Sequence, residues 1–593
     1  MGSQSLRRSQ FITTYGPGAI LEGSNGPRII PTIDRSNIFS AGSNPVNFEI
    51  TDRRLSHALL DDAGILRIPS NAELGVTDSQ SIYDTSRFPT WSLCVRHGIL
   101  YRKVTSSPAN QACPRCNNFN SRPEAWIRAG KESIRFVRAC QNGHIDDVDW
   151  NGIINHTRQH TAPNHFLWQG GGGALRHVNI VCPTCNGSIN LGLAYSRSWR
   201  CSGRFAESGV TRPGCSVSAN IIQRGAANLR LAEIQTALTI PPRATRLHRL
   251  LEMDRIHTSL VASEPSNKAA LIELLQRLRD RGLITQAVID EIHGFDEPTI
   301  LNAIGDVLSG GLPQNVNDLR DQEFEALKHS AEYGAPPQPS STPGAPPQFQ
   351  VVRTNVRSIT TVNGRSLRIT PIERLRVVMV QTGYRRIDPV NAQFVDRRFT
   401  IDHRDWYPGI ELFGEGIFID FVQGNVFTNF TGAASTWFDE WHQNSSFSPV
   451  FLGEQREHLH PEFVWWHTFS HKLITALSVD SGYSSAAVRE RVYTSIDPIT
   501  GQATGGVLLY TAQPGGDGTL GGLIALVPSF ERVIDLALGS IHICSNDPLC
   551  SEEVFQTGKY SGAACYACSL ISETSCEFRN MRLDRNILRE NLP

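Results

Sequence analysis

Twelve of the thirteen cysteines of this chain fall in three groups, each built on one Cys-x2-Cys knuckle. The first runs Cys113-x2-Cys116, then 23 residues to Cys140-x3-His144. The second is Cys182-x2-Cys185, followed by Cys201 and Cys215, and the third is Cys544-x5-Cys550, Cys565-x2-Cys568 and Cys576. Two sulfurs three positions apart reach one Zn²⁺ at about 2.3 Å, and a second pair from elsewhere completes the tetrahedron. Four protein ligands leave no position for water, so such a site holds structure, and it contributes on the order of 10 kcal/mol to folding of its own lobe. One knuckle alone would also suit a buried apolar cysteine pair or thiol redox chemistry; three knuckles with distal partners point to zinc. The expected sites are Cys113, Cys116, Cys140 and His144; then Cys182, Cys185, Cys201 and Cys215; then Cys550, Cys565, Cys568 and Cys576. Cys94 could replace His144 in the first, and Cys544 is the reserve for the third.

A chain of 593 residues exceeds one core, so several domains are expected. Residues 1–90 carry GPGA, SNGP and SNP turn signals and read as an irregular α/β lobe; 91–220 is a double zinc-ribbon region. From 221 to 333 the pattern turns helical, as in KAALIELLQRLRDRGL, with apolar residues three and four apart. GAPPQPSSTPGAPPQ, 334–348, reads as an extended linker or loop. Residues 349–593 begin strand-rich and continue α/β around the third cysteine group. The fold class expected is α+β multidomain: zinc-ribbon modules, a helical middle region and an α/β C-terminal domain with its own zinc site. No window approaches 18 apolar residues and the N-terminus lacks a signal-type run, so a cytoplasmic location is expected.

Motifs for chemistry are sparse. No G-x-x-x-x-G-K-[ST] occurs, which argues against a Walker-type ATP site in the chain. HTFSH, 467–471, has the histidine spacing of a zinc protease, but Thr468 stands where the catalytic Glu would be, so a buried, hydrogen-bonded histidine pair is expected. QPGGDGTLGG, 513–522, could offer backbone N–H groups to an anion, although Asp517 would oppose one. The net charge is −1, yet the cations are fifty Arg against six Lys, a bias that genomic base composition also produces. Between Val351 and Thr400 ten Arg face Glu373, Asp388 and Asp396, a balance of +7, with Tyr384, Phe394 and Phe399 interleaved. Such a segment suits a single-strand path, and Arg353, Arg357, Arg374, Arg376, Arg385, Arg386, Arg397 and Arg398 are the candidate DNA contacts. The other reading is a set of strands with solvated outer faces.

With those blocks in view, the chain resembles the DrmB family, subunits of the DISARM antiphage defence system that carry a helicase-associated domain of unknown function. The resemblance rests on AACYACSLISETSCEFRNMRLDR, 563–585, with RRSQFITTYGPGAI at 7–20, ACQNGHIDD at 139–147 and TGYRRI at 382–387. ELFGEGIFID at 411–420, HTFSHKLI at 467–474 and YTAQPGGDGTLGGL at 510–523 add to it. Tyr566 stands where the family often has His. The resemblance implies an accessory, non-catalytic subunit that partners a DrmA-like Swi/Snf-type helicase, which supplies the ATP motor, and that binds DNA with single-stranded portions. The competing class is a metal-dependent nuclease or hydrolase using His467, His471 and Asp517.

Overall fold

A computed structural model of the chain describes residues 5–593 except 24–25, 37, 39–43, 78–82, 103–112, 117–132, 172, 241–245, 252, 309–312, 314, 338–346, 362, 444–446, 451–453, 481–483, 485, 498 and 514–521. Most of the Pro-rich segment and of the Gly-rich loop with Asp517 therefore lies outside the described residues. The fold is mixed α and β, and the chain divides into two compact units. The first comprises 1–51, 63–235 and 379–410; the second, 52–62, 236–378 and 411–593.

The first unit is built from short strands. A five-stranded antiparallel sheet runs Ser188–Asn190, Val178–Val181, His165–Gly170, Ile99–Arg102, Trp91–Cys94. A six-stranded one runs Ser198–Trp199, Ala219–Gln223, Phe136–Cys140, Ile145–Asp146, Arg204–Phe205, Val210–Thr211. Strands of two to six residues bury little on their own, and their core of Leu100, Phe136, Trp150, Phe166, Ile180 and Leu191 includes two cysteines, Cys182 and Cys185. Hydrophobic burial and the knuckle are thus one object here.

In the second unit, helices Arg246–Leu251, Asp254–Ser263, Lys268–Asp280, Gln286–His293 and Glu297–Leu308 enclose Leu251, Ile256, Leu271, Leu275, Ile292 and Ile300. Lys268–Asp280 buries Leu271, Leu275 and Leu278, one stripe of a 3.6-residue period. The Asn267 side chain caps it by accepting from the Ala270 N–H, 2.9 Å. Helix begins at Arg246 and not at 221: Ala219–Gln223 and Leu231–Leu238 are strands. The inward positions of Leu231–Leu238 carry Glu233 and Gln235, so its period-two pattern is not one of hydrophobicity.

Strands Ser366–Arg385, Arg404–Phe421, Ala503–Gln513 and Arg489–Ile496 follow one another in a sheet. The helix Pro461–Asp480 packs on the last two, starts on the proline that suits a first helical position, and is buried nearly all round. Phe463, Val464, Trp465, Trp466, Phe469, Leu473 and Ile474 all belong to one hydrophobic core. Glu462 in its first turn is 1% exposed and accepts from the Trp466 indole N–H, 3.0 Å. No helix among the described residues is long and apolar enough to cross a membrane.

Burial pushes the Glu462 carboxyl up to about 8. A folded value above the unfolded one means stability that is full at low pH and falls as pH rises from about 4.5 toward 8. Glu462→Gln is therefore expected to stabilise the chain little at pH 5 and by up to about 4 kcal/mol at pH 8. Denaturant titrations of both proteins at the two pH values check this; an equal effect at each would show that Glu462 is ionised in the fold.

Candidate metal centres

The described residues gather His, Cys and Glu into five four-membered groups, each with its ligand atoms within 4.8 Å of one another. The groups are not those expected from spacing. Cys113 and Cys116 meet Cys94 and His97, and Cys140 and His144 meet Cys201 and Cys215. Cys182 and Cys185 meet His156 and His160. Cys550, Cys565 and Cys568 take Cys544 as their fourth member, while Cys576 joins His467, His471 and Glu490. Both reserves, Cys94 and Cys544, are full members, and all thirteen cysteines are free of disulfides.

Sheet pairing explains the exchange. Cys94 ends a strand whose hairpin partner is Ile99–Arg102, and the turn between them carries His97. Cys140 ends Phe136–Cys140, which pairs with Ala219–Gln223, itself paired with Ser198–Trp199; Cys215 precedes the one strand and Cys201 follows the other, so both arrive beside it. A tetrahedral zinc with ordinary bond lengths sets S···S edges of about 3.8 Å and N···S edges of about 3.5 Å. Cys94–Cys116 is 3.8 Å, Cys550–Cys568 and Cys565–Cys568 are 3.7 Å, and Cys544–Cys565 and Cys140–Cys201 are 3.5 Å. His97 Nδ1 lies 3.6, 3.6 and 3.3 Å from the sulfurs of Cys94, Cys113 and Cys116. His144 Nδ1 lies 3.3 Å from Cys140 and 3.5 Å from Cys201. The edges fit the ion.

Ligand orientation is set by neighbouring backbone. His156 Nε2 lies 3.0 Å from the Asn151 carbonyl and His160 Nδ1 2.8 Å from that of Thr161, so each ring donates outward. Nδ1 of His156 and Nε2 of His160 are then the lone pairs turned to Cys185, 3.2 Å, and Cys182, 3.4 Å. Backbone N–H groups two residues on donate to sulfur at Cys185, Cys201 and Cys544, from Gly187, Gly203 and Asn546 at 3.3–3.4 Å. Burial pushes the Cys113 and Cys140 thiols up to about 12, against which a divalent ion is the agent able to hold thiolates.

The HTFSH pair is buried, as expected, but it has company that spacing did not show. His467 Nε2 and His471 Nε2 converge on Glu490 Oε1, 2.9 and 3.1 Å, and Cys576 Sγ lies 3.2 Å from His467 Nε2. All four residues are buried. The sequence signals that could have found the missed members are Cys94-x2-His97, a knuckle with one His, and His156-x3-His160.

The arginine segment is largely structural. Arg386, fully buried, donates to the carbonyls of Gly143, 2.9 Å, Leu229, 2.7 Å, and Gly18, 3.1 Å. Glu207, which receives Tyr384 and Arg397, balances it; against the upward push of burial, Arg386 and Arg397 hold its carboxyl below the usual range. Arg376 pairs with Glu411, 3.0 Å, and Asp52, 3.7 Å, and Arg385 with Glu233, 2.9 Å. Arg398 donates to the Tyr407 hydroxyl, 3.1 Å, and lies by Asp396 and Asp405. Arg374 is half-buried. Arg353 and Arg357 are exposed, with Arg353 donating to the Glu332 carbonyl, 2.6 Å. Buried charges need partners, and here carboxylates and backbone carbonyls of the fold supply them.

The family comparisons bear on one of these groups. Residues 469–569, which contain the four-cysteine group, match the family described as the MrfA Zn-binding domain, and residues 7–231 match a domain of unknown function, DUF8724. Over 491 residues the chain is 28% identical to the DISARM protein DrmB of Bacillus paralicheniformis, covering 77% of this chain and 80% of that protein. The resemblance to DrmB read from the motifs is thereby borne out. A crystal structure of the DUF1998 helicase MrfA bound to DNA matches 33% of this chain and 20% of its own, at 13% identity and a TM-score of 0.19, a likeness too slight to transfer a fold.

Two measurements follow. If Cys140 and Cys201 hold one ion, Cys140→Ser and Cys201→Ser will each remove one metal equivalent, and the double variant still only one, whereas Cys113→Ser with Cys140→Ser will remove two; native mass spectrometry reads the count. Arg386→Met is expected to cost about 3–5 kcal/mol by leaving three buried carbonyls unpaired and the Glu207 carboxylate with only Arg397 and Tyr384, measured by denaturant unfolding.

Proposed function

We propose that the chain is a zinc-stabilised, non-catalytic subunit of an antiphage defence complex, partnering a DrmA-like Swi/Snf-type helicase and helping to bind and channel DNA. The observation that carries this reading is the match to DrmB across most of the chain, together with cysteine groups whose four positions are filled by protein. The four groups that hold two or more thiols, namely those of Cys94, Cys140, Cys182 and Cys544, would each bind one structural Zn²⁺. Four such sites rather than three are proposed because the Cys140 group, with His144, Cys201 and Cys215, gathers four ligands without a CxxC of its own. Cytoplasmic placement belongs to the same reading.

The hydrolase alternative is the weaker one. His467 and His471 are fully buried against Glu490 and Cys576, so neither presents an open position to a substrate.

DNA contact by this chain would fall on exposed arginines, Arg353 and Arg357, and not on the buried ones. The test is binding of fluorescent single- and double-stranded DNA to the chain, alone and with its helicase, over a salt series. Arg353→Ala with Arg357→Ala is expected to weaken single-strand binding several-fold and to reduce the slope of log K against log salt by about 1.4. Unchanged affinity and slope in the complex would leave the chain an adaptor without a DNA path. Failure to co-purify with the helicase would remove the subunit reading itself.

A further inference from the structure

The group His467, His471, Glu490 and Cys576 lies apart from the four-cysteine group, and two of its members, His467 and Cys576, fall outside the residues matched by the Zn-binding family. We infer that it is a fifth, closed metal site, holding Zn²⁺ with two imidazoles, one carboxylate and one thiolate. The inference rests on the structural-zinc reading above and adds a site of different donor chemistry.

The proton count is the first argument. His467 Nδ1 lies 3.2 Å from the Arg582 carbonyl and His471 Nδ1 2.7 Å from that of Ser569. A carbonyl only accepts, so both Nδ1 atoms carry hydrogen and both neutral rings turn an Nε2 lone pair inward. There they face Glu490 Oε1 and Cys576 Sγ, so four acceptors converge in a place closed to water. One proton between them can satisfy one contact; a divalent cation satisfies all four. With Glu490 and Cys576 ionised and both imidazoles neutral, the charges sum to zero with M²⁺, the condition that deep burial demands.

The second argument is what holds the ligands. Glu490 Oε2 accepts from the Ser470 hydroxyl, and the Glu490 N–H donates to the Ser575 carbonyl, 3.1 Å. Cys576 Sγ receives the N–H groups of Phe578 and Asn580, each at 3.3 Å. The Phe578 donor sits two residues past the cysteine, the same N–H to sulfur turn found at Cys185, Cys201 and Cys544. Every ligand has its outward atom fixed, as metal ligands do. Two nitrogens, one oxygen and one sulfur form a borderline set that suits Zn²⁺ better than the hard cations. All four positions are taken, so the ion would hold structure. It would tie the helix Pro461–Asp480 to the strand Arg489–Ile496 and to the segment that follows the four-cysteine group.

Anomalous diffraction from crystals of the full chain, recorded above and below the zinc edge, resolves the sites individually. A zinc peak between His467 Nε2, His471 Nε2, Glu490 and Cys576 is the expected result. Peaks at the four-cysteine group but none here would overturn the fifth site alone; no zinc peak at either would overturn the structural-zinc reading with it. In solution, native mass spectrometry of the full chain is expected to count five zinc ions, and four in the folded Cys576→Ser variant. If that variant does not fold, the wild-type count decides: five sustains the site and four sinks it.

Discussion

Convergence of four donor atoms from distant parts of the chain is the constraint around which the short-stranded regions are arranged. Strands of two to six residues cannot bury enough apolar surface to offset the ordering of their connections. In the first unit the sulfur groups lie within the apolar clusters: Cys182 and Cys185 in the largest one described there, Cys94 and Cys113 with Ile99 and Tyr101 in another. An ion at such a point replaces a layer of core, and its loss would open the lobe rather than trim it.

Between these groups, arginine does a second kind of work. A guanidinium has a planar fork of donors and stays charged when buried, so it can saturate several carbonyls at once. Arg386 does so from the TGYRRI block, and the Gly143 carbonyl that it holds precedes His144, a member of the Cys140 group. In the second unit Arg491 plays the matching part, with Glu323 at 2.9 Å and Glu577 at 2.8 Å. The ETSCE block therefore has two uses a residue apart: Cys576 faces the histidine pair, and Glu577 balances Arg491. Further on, Asp584 caps Arg585–Glu590 and accepts from the Trp437 indole, 2.9 Å.

How much of this was legible follows from what spacing encodes. A CxxC fixes that two sulfurs share an ion, because local reach decides it, and the three knuckles stood out for that reason. Which distal pair completes each tetrahedron is set by strand pairing, and nothing local carries that information. Cys140 and His144 lie nearer in sequence to Cys116 than to Cys201, yet the pairing of Phe136–Cys140 with Ala219–Gln223 places them with the later pair. Histidine carries a weaker signal: His97 stands in Cys94-x2-His97 and His156 in His156-x3-His160, short-reach pairs that are not CxxC. The amphipathic helices of the middle region were visible because their stripe is periodic, whereas the strand Leu231–Leu238 was hidden by Glu233 and Gln235 on its inner face. The arginine run is ambiguous in the sequence for the same reason, since a buried ion pair and a solvated stripe look alike until the partner, such as Glu207 nearly two hundred residues away, is brought in.

Those partners bear on the kind of protein this is. A site that performs chemistry needs an open coordination position or a titratable group with access to substrate. Among the described residues the metal-type groups have four protein ligands each, the histidine pair is buried, and Arg386 and Arg491 are neutralised inside the fold. Among the described residues, the blocks ACQNGHIDD, TGYRRI and ETSCE supply candidate metal ligands and buried ion pairs, so what these motifs encode is how distant segments are tied together.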